Sequence, residues 1–211
     1  MDKIDYKKEF KDLYQPKTEP SLIDVPQIPF LMVDGAGDPN EEGGEYGRAL
    51  ELLYAVAYTI KMSKMGAYMP QGYFEYVVPP LEGLWVMADG SAPVGAIDKS
   101  LFRWTSMIRQ PDFVTEDVFH WALEEAKRKK NVSGSIRLER FTEGLCVQCM
   151  HCGAFDDEPA TMLKIERFIA QNGLREDHSD LRRHHEIYLS DPRKTIESKK
   201  KTILRVPVRK L

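Results

Sequence analysis

The sequence, 211 residues long, is short of both long apolar runs and charge of one sign. No stretch approaches the roughly 20 consecutive apolar residues that a membrane-spanning helix needs. The formal net charge of −3 at pH 7 gives no basic surface of the kind that binds nucleic acids. Met1-Asp2-Lys3-Ile4-Asp5 lacks the pattern of a secretory signal. We therefore expect a cytoplasmic protein whose partners include neither membranes nor nucleic acids.

Phosphate-binding loops and complete metal-ligand sets are missing as well. The glycines before the first predicted helix fit neither a P-loop nor a dinucleotide-binding fingerprint. Cys146, Cys149 and Cys152 form a C-x-x-C-x-x-C run, but an iron–sulfur ligand set needs a fourth cysteine and the chain has three. The run has the pattern of a strand, in which Cys149 points away from the other two. We expect reduced, partly buried thiols, no metal site and no cofactor.

The chain contains two matching segments about 118 positions apart, Gly35-Ala36-Gly37-Asp38 and Gly153-Ala154-Phe155-Asp156. Each follows an apolar run and precedes a pattern typical of an amphipathic helix. Each half then has a predicted strand with an internal glutamate and an aromatic, Leu81–Trp85 and His185–Leu189. The repetition predicts a single domain over 1–211 with a first half at about 22–110, a central helix at about 115–130 and a second half at about 135–211.

The predicted order of elements is the same in both halves, namely strand, helix, strand, strand. The predicted strands, one more in each half than this plan contains, cover residues 28–33, 73–78, 81–87 and 101–108 in the first half, and 136–141, 145–151, 183–189 and 202–208 in the second. Residues 1–20 are predicted as an extended or short helical lead-in. The predicted fold class is α+β, with duplicated strand-helix-strand-strand units forming antiparallel sheet, helices on one face and a ligand groove between the halves.

Carboxylates and aromatic rings are the candidate groups for that groove. On a strand, His184, Glu186, Tyr188 and Ser190 share one face, which lies either in the groove or toward solvent. Glu82 has the same two alternatives. A glutamate in a semi-apolar groove can serve as a general base near neutral pH.

Large rings on the predicted strands form either stacking walls or core. Trp85, Trp104 and Tyr76 are the candidates for walls, since flat rings stack on flat ligands. Met107 fits an adaptable pocket or the core equally well. Trp121 lies beside the apolar face of the central helix and is predicted to pack rather than to bind ligand.

Three segments on this duplicated plan carry a family resemblance: Pro80–Trp85, Arg103–Pro111 and His185–Pro192. Together they resemble the gyrase-inhibitor-like (GyrI-like) small-molecule-binding family across nearly the whole chain. That family includes effector domains of multidrug-responsive activators, stand-alone drug-binding proteins, gyrase inhibitors and proteins that hydrolyse cyclopropane-bearing DNA-alkylating natural products. The chain has no helix-turn-helix module or coiled-coil linker, which argues against a direct role in transcription.

The resemblance implies a small-molecule ligand and leaves two functions open. In the first, Glu186 activates water to open a strained cyclopropane, Glu82 assists it, and other side chains bind the flat drug: Trp104, Trp85, Tyr188, Tyr76 and Met107. In the second, a non-catalytic protein sequesters aromatic cations through ion pairing and cation–π contacts. A gyrase-binding role has no exposed motif to support it. The oligomeric state stays open.

Overall fold

The computed structural model describes residues 3–93, 98–191 and 194–211, so Met1, Asp2 and Pro192 lie outside the described residues. The strands are Ser21–Ala36 (β1), Leu81–Met87 (β2), Phe102–Arg109 (β3), Arg137–Cys152 (β4), Leu174–Glu176 (β5), His184–Tyr188 (β6) and Lys201–Lys210 (β7). The α-helices are Tyr6–Glu9 (α1), Lys11–Tyr14 (α2), Glu45–Lys61 (α3), Glu116–Lys130 (α4) and Glu158–Gln171 (α5). No helix within these ranges is both long and apolar enough to cross a membrane.

The two halves repeat one topology, and this confirms the predicted α+β fold. Strand order is β1-β3-β2 in the first half and β4-β7-β6 in the second, with each pair antiparallel. The halves meet at two seams, β2–β6 and β1–β4, so that six strands close into a barrel. Short β5 adds to the outer side of β7.

The long helices cover the outside of the barrel, because each has one apolar stripe to bury. α3 packs its buried residues Leu52, Leu53, Val56 and Ile60 toward β1, β3 and α4. α4 begins at Thr115, whose hydroxyl accepts a hydrogen bond from the Val118 amide. α5 packs on β4 in a second apolar cluster. Tyr46 in the first turn of α3 lies beside Trp85 of β2, and Phe155, just before α5, lies beside Tyr188 of β6. The surface between these residues is called the groove below.

The short helices α1 and α2 close one end of the barrel. The Tyr14 hydroxyl donates to Glu82 Oε1 at 3.1 Å, and Arg205 Nη2 donates to the Leu13 carbonyl at 2.5 Å. The Arg109 guanidinium lies 4.0 Å from the centre of the Phe10 ring. The lead-in segment is therefore bound to side chains that point into the barrel.

Two strand predictions were wrong. Residues 73–78 form no strand, and Tyr76 makes only an isolated bridge to Ile4. The predicted strands 136–141 and 145–151 are one continuous strand, β4, because Gly144 takes φ 73° and carries the chain through the expected turn. β4 pairs with β1 and β7 on its two sides, and this pairing keeps it extended.

Candidate functional site

The seam between β2 and β6 holds a chain of hydrogen-bonded side chains on its outer face. Trp85 Nε1 donates to the Tyr188 hydroxyl at 3.0 Å, and that hydroxyl donates to Glu186 Oε2 at 2.7 Å. His184 Nε2 lies 3.4 Å from Glu186 Oε1. The Glu186 side chain keeps 16% of its surface exposed, so its carboxylate is held in place yet reachable from the groove.

Gly83 makes room for this chain of hydrogen bonds. It pairs directly with Glu186 across the seam. A Cβ at this position would lie 2.6 Å from Trp85 Nε1 and 3.3 Å from the Tyr188 hydroxyl. The absent side chain allows the indole to fold over the strand and reach Tyr188.

Aromatic rings from both halves surround the carboxylate. The Tyr46 ring, in the first turn of α3, lies 5.7 Å from the Trp85 ring and edge-on to the Trp104 ring at 5.0 Å. On the other side, Phe155 meets the Tyr188 ring edge-on at 6.0 Å and is partly exposed. The walls thus come from the first turn of α3, from β2 and β6, and from the segment that leads into α5.

Burial keeps the phenols in this groove protonated. Burial, followed by the Glu186 charge, raises the pKa of Tyr188 well above its ordinary value. Burial also raises the pKa of Tyr46, and the Glu186 charge adds to that rise while Ser106 opposes it. Both side chains are therefore hydrogen-bond donors at neutral pH, suited to a carboxylate or to charge that develops on a ligand oxygen.

A second carboxyl, Glu158, enters the groove from the start of α5. Burial, with the charges of Glu186 and Asp156 added, raises its pKa far above the ordinary carboxyl range, while Lys99 opposes the shift. The site therefore contains two interacting carboxyl groups in unlike environments. The sequence analysis did not identify Glu158. Acidic residues are common in the first turns of helices, because they interact favourably with the helix dipole, so the position alone indicates no function.

The structure brings some of the predicted site residues together and places others elsewhere. Glu186, Tyr188 and Trp85 are in direct contact, as described above. Trp104 lies beside them but is 1% exposed, with the rim of its ring packed over Gly35. Tyr46 therefore covers Trp104 from the groove side.

Glu82 and Met107 lie on the opposite face of the sheet, inside the barrel. Because side chains alternate along β2, Glu82 points away from the face that carries Gly83 and Trp85. Met107 is its partner in the β2–β3 register and is fully buried. The expectation that Glu82 assists Glu186 required both on one face, and the fold separates them.

Tyr76 is also remote from the seam. It is 1% exposed and packs in an aromatic cluster with Phe74 and Phe113. The missing strand at 73–78 explains the difference, since a strand there would have placed Tyr76 in the same sheet as Trp85. Trp121, partly buried, contacts the tilted Tyr68 ring at 4.5 Å and packs against the core, as predicted.

Glu82 belongs to a charged cluster that fills the barrel interior. His185 lies between two carboxylates, with Nε2 3.0 Å from Glu82 Oε2 and Nδ1 3.0 Å from Glu143 Oε1. Arg205 contacts Glu143 at 3.2 Å and Gln148 at 3.1 Å. Burial lowers the pKa of His185, but Glu143 and Glu82 outweigh it and raise the value to about 9. The cluster is closed to solvent and has the character of a structural ion pair.

A cavity of about 500 Å³ is lined mainly by residues of β1, β2, β3 and β4. Its apolar floor includes Met32 and Leu84, and its rim carries three arginines, Arg103, Arg137 and Arg183. Most of this rim charge is internally paired: Arg137 binds Asp34 and Glu139, and Arg103 binds Asp180. The Glu186 groove is the better candidate site, since its carboxylate is oriented by Tyr188 and stays partly exposed.

The three cysteines lie on one strand, β4, as the sequence pattern predicts. Cys146 and Cys149 are buried and Cys152 is exposed, and all three are free thiols. Burial raises the pKa of Cys149 to about 11, which leaves little reactive thiolate at neutral pH. Within the described ranges no three side chains of the metal-binding types lie close enough to hold an ion.

A duplicated α+β barrel with a carboxylate and aromatic groove between its halves has the architecture of a small-molecule-binding domain. The chain belongs to the family of the GyrI-like small molecule binding domain, whose model matches residues 18–209. This confirms the resemblance found in the sequence.

Solved structures extend the comparison. A hydrolase from Listeria innocua is similar at 52% identity, with a TM-score of 0.89 over 98% of this chain and 100% of that chain. An uncharacterized conserved protein from Listeria innocua has the same identity and coverage, with a TM-score of 0.91. The EcmrR C-terminal domain, at 11% identity and a TM-score of 0.51, covers 92% of this chain and 98% of its own and shares the fold. A search of curated proteins finds no match.

Proposed function

We propose that this protein binds flat, hydrophobic or cationic small molecules in the groove at the β2–β6 seam and hydrolyses them. The observation that carries the proposal is the Glu186 carboxylate, which is oriented by the Tyr188 hydroxyl, partly exposed, and surrounded by rings. A general base needs this combination of fixed position, access and reduced water contact. The similar Listeria innocua structure described as a hydrolase supports a hydrolytic reaction.

The proposed substrates are natural products in which a cyclopropane is conjugated to a dienone. Tyr46, Trp85 and Phe155 hold the flat skeleton, and Glu186 takes a proton from a water molecule. The water oxygen bonds to a cyclopropane carbon and the strained C–C bond breaks. Its electron pair moves through the conjugated system to the carbonyl oxygen, which takes up a proton. The net change is addition of one water, and the product can no longer alkylate DNA.

Non-catalytic sequestration is the second candidate function. An ionised Glu186 among several aromatic rings also fits an aromatic cation, which gains ion pairing and cation–π contacts. Glu186 Oε2 already accepts a hydrogen bond from Tyr188. If this leaves no room for a water molecule beside the carboxylate, Glu186 cannot activate water, and the protein only binds its ligand. The two functions differ in turnover and not in binding.

Turnover separates them. The purified protein is incubated with an excess of a cyclopropane-bearing alkylator and the ring-opened product is followed by mass spectrometry. We expect more than one equivalent of product per protein. Product that stops at or below one equivalent, with the ligand recovered intact, would establish sequestration instead.

Glu186→Gln keeps the shape of the side chain and removes the base. We expect it to lower turnover by at least ~10²-fold, with an unchanged melting temperature. Glu51→Gln is the matched control, since Glu51 is exposed on α3 and should behave as the wild type. Unchanged turnover in Glu186→Gln would remove Glu186 from the mechanism.

A further inference from the structure

Glu158 carries a buried polar atom at the start of α5. It is the first residue of α5, followed by Pro159. Its Oε1 is buried and has no hydrogen-bond partner among the described residues. A buried carboxyl oxygen of this kind is costly unless it is protonated or meets a ligand.

The position of Glu158 connects it to the Glu186 groove. Phe155, three residues earlier, contacts the Tyr188 ring, and the charge of Glu158 acts on both Glu186 and Tyr188. The carboxyl therefore reaches the groove from the α5 side, while Trp85 and Tyr46 occupy the α3 side.

The surroundings of the two carboxyls decide which of them holds a proton. Glu186 accepts a hydrogen bond from Tyr188 and has the His184 imidazole beside it. The buried Oε1 of Glu158 has no donor among the described residues, and burial together with the negative charges of Glu186 and Asp156 raises the pKa of Glu158, while Lys99 opposes the rise. A proton is therefore held on Glu158 near neutral pH.

We propose that Glu158 is the general acid of this site, which donates its proton to the ligand oxygen that gains negative charge while Glu186 takes the proton of water. The inference rests on the proposed function. As the cyclopropane C–C bond breaks, its electron pair reaches the carbonyl oxygen, and the Glu158 proton moves there to give a phenol. Glu158 ends ionised and Glu186 ends protonated. One proton transfer from Glu186 to Glu158 then restores both, so the sum is substrate plus water to product.

The proposal predicts a specific pH–rate profile. With Glu158 as the acid, the rate falls at high pH as Glu158 loses its proton. Glu158→Gln should lower the rate constant for turnover by ~10²-fold and abolish the high-pH decline. Glu158→Asp should recover part of the rate. Asp157→Asn removes an exposed carboxylate one position away and should keep the wild-type profile.

A second measurement does not depend on turnover. Infrared spectra of the wild type near pH 7 should show the carbonyl band of a protonated carboxyl, which is absent from Glu158→Gln and present in Asp157→Asn. Melting temperatures verify that each variant folds.

The outcomes separate this inference from the proposed function. No wild-type turnover would overturn the hydrolase proposal and, with it, the acid role. Wild-type turnover with an unchanged rate and high-pH decline in a folded Glu158→Gln would overturn the acid role alone. Absence of the protonated-carboxyl band would do the same. Loss of both the protonated-carboxyl band and the high-pH decline in Glu158→Gln supports the role of Glu158 as the general acid.

Discussion

At the scale of single residues, Gly83 has as much influence on the site as the side chains around it. Its lack of a Cβ lets the Trp85 indole reach Tyr188, which in turn orients Glu186. Gly83→Ala should push the indole away, destabilise the fold by about 1–3 kcal/mol through overpacking, and lower turnover. Denaturant unfolding and the turnover assay test this.

Gly47→Ala is the control for that substitution. Gly47 lies on α3 with open space where a Cβ would be, so alanine there should be neutral or stabilising by up to about 1 kcal/mol. Equal stability and turnover for Gly83→Ala and Gly47→Ala would show that the close approach of Trp85 to Gly83 is not needed.

Trp104 gives a second prediction at this scale. Because its ring is 1% exposed and lies under Tyr46, Trp104→Ala should destabilise the protein by about 3–5 kcal/mol, as expected for a buried tryptophan. Trp121 is partly buried, and Trp121→Ala should have a smaller effect. The free energies of unfolding of the two variants should show the larger loss of stability for Trp104→Ala. A larger loss for Trp121→Ala would contradict the packing described for Trp104.

Residue patterns in the sequence were enough to place Glu186 and Tyr188 on one face, since strand alternation is a local property. The same patterns did not place Tyr46 and Glu158 in the candidate site. Both lie in first turns of helices, and only the packing of those helices on the sheet brings them to β2 and β6. Alternation alone also separates Glu82 from Gly83 and Trp85.

At the scale of elements, β6 contributes His185 to the barrel interior and Glu186 to the groove. His185 has a folded-state pKa of about 9, above its unfolded value of ~6.5. Its contribution to stability is therefore complete below pH ~6.5 and is lost as pH rises through about 9. Burial raises the pKa of Glu143, but His185 and Arg205 outweigh burial and lower this pKa to about 2. The contribution of Glu143 to stability is therefore complete above the pKa that it has in the unfolded chain and is lost as the pH falls toward 2.

These two shifts predict maximal stability in the mildly acidic range and a decline from about pH 6.5 to 9. Wild-type melting temperatures across this range measure the decline, and His185→Gln should remove it. If that variant does not fold, an NMR titration of the His185 imidazole in the wild type gives the same information. A ring that titrates near its ordinary value would contradict the ion-pair geometry.

Element boundaries followed the sequence where turn chemistry was unambiguous. Thr115 caps α4 and basic residues fill its last turn, and Asn172-Gly173 follows α5, so these helix ends agree with local sequence chemistry. The break predicted between residues 136–141 and 145–151 is absent, because pairing with β1 and β7 keeps β4 extended. Short β5 has too few residues for any pattern to predict it.

At the scale of the whole molecule, the two seams between the halves are unequal. Five residue pairs join β2 to β6, whereas eleven join β1 to β4. The shorter seam also carries the groove, so we expect local opening there first. Hydrogen exchange should be faster in β6 than in the centre of β1, and a bound ligand should slow it selectively in β6. Equal protection of both seams would contradict this order.

Side chains of β6 alternate between the groove and the barrel interior, and this limits how the protein can change over evolution. Substitutions can alter the groove and the barrel interior independently, because alternate positions serve each. An inserted or deleted residue within β6 changes both faces at once, because a shift of one position would turn His185 toward the ligand and Glu186 into the sealed barrel. A library of single-residue insertions should therefore tolerate length changes in the loops that flank β6 and reject them within His184–Tyr188, so that ligand specificity diversifies by exchange of side chains at fixed strand length.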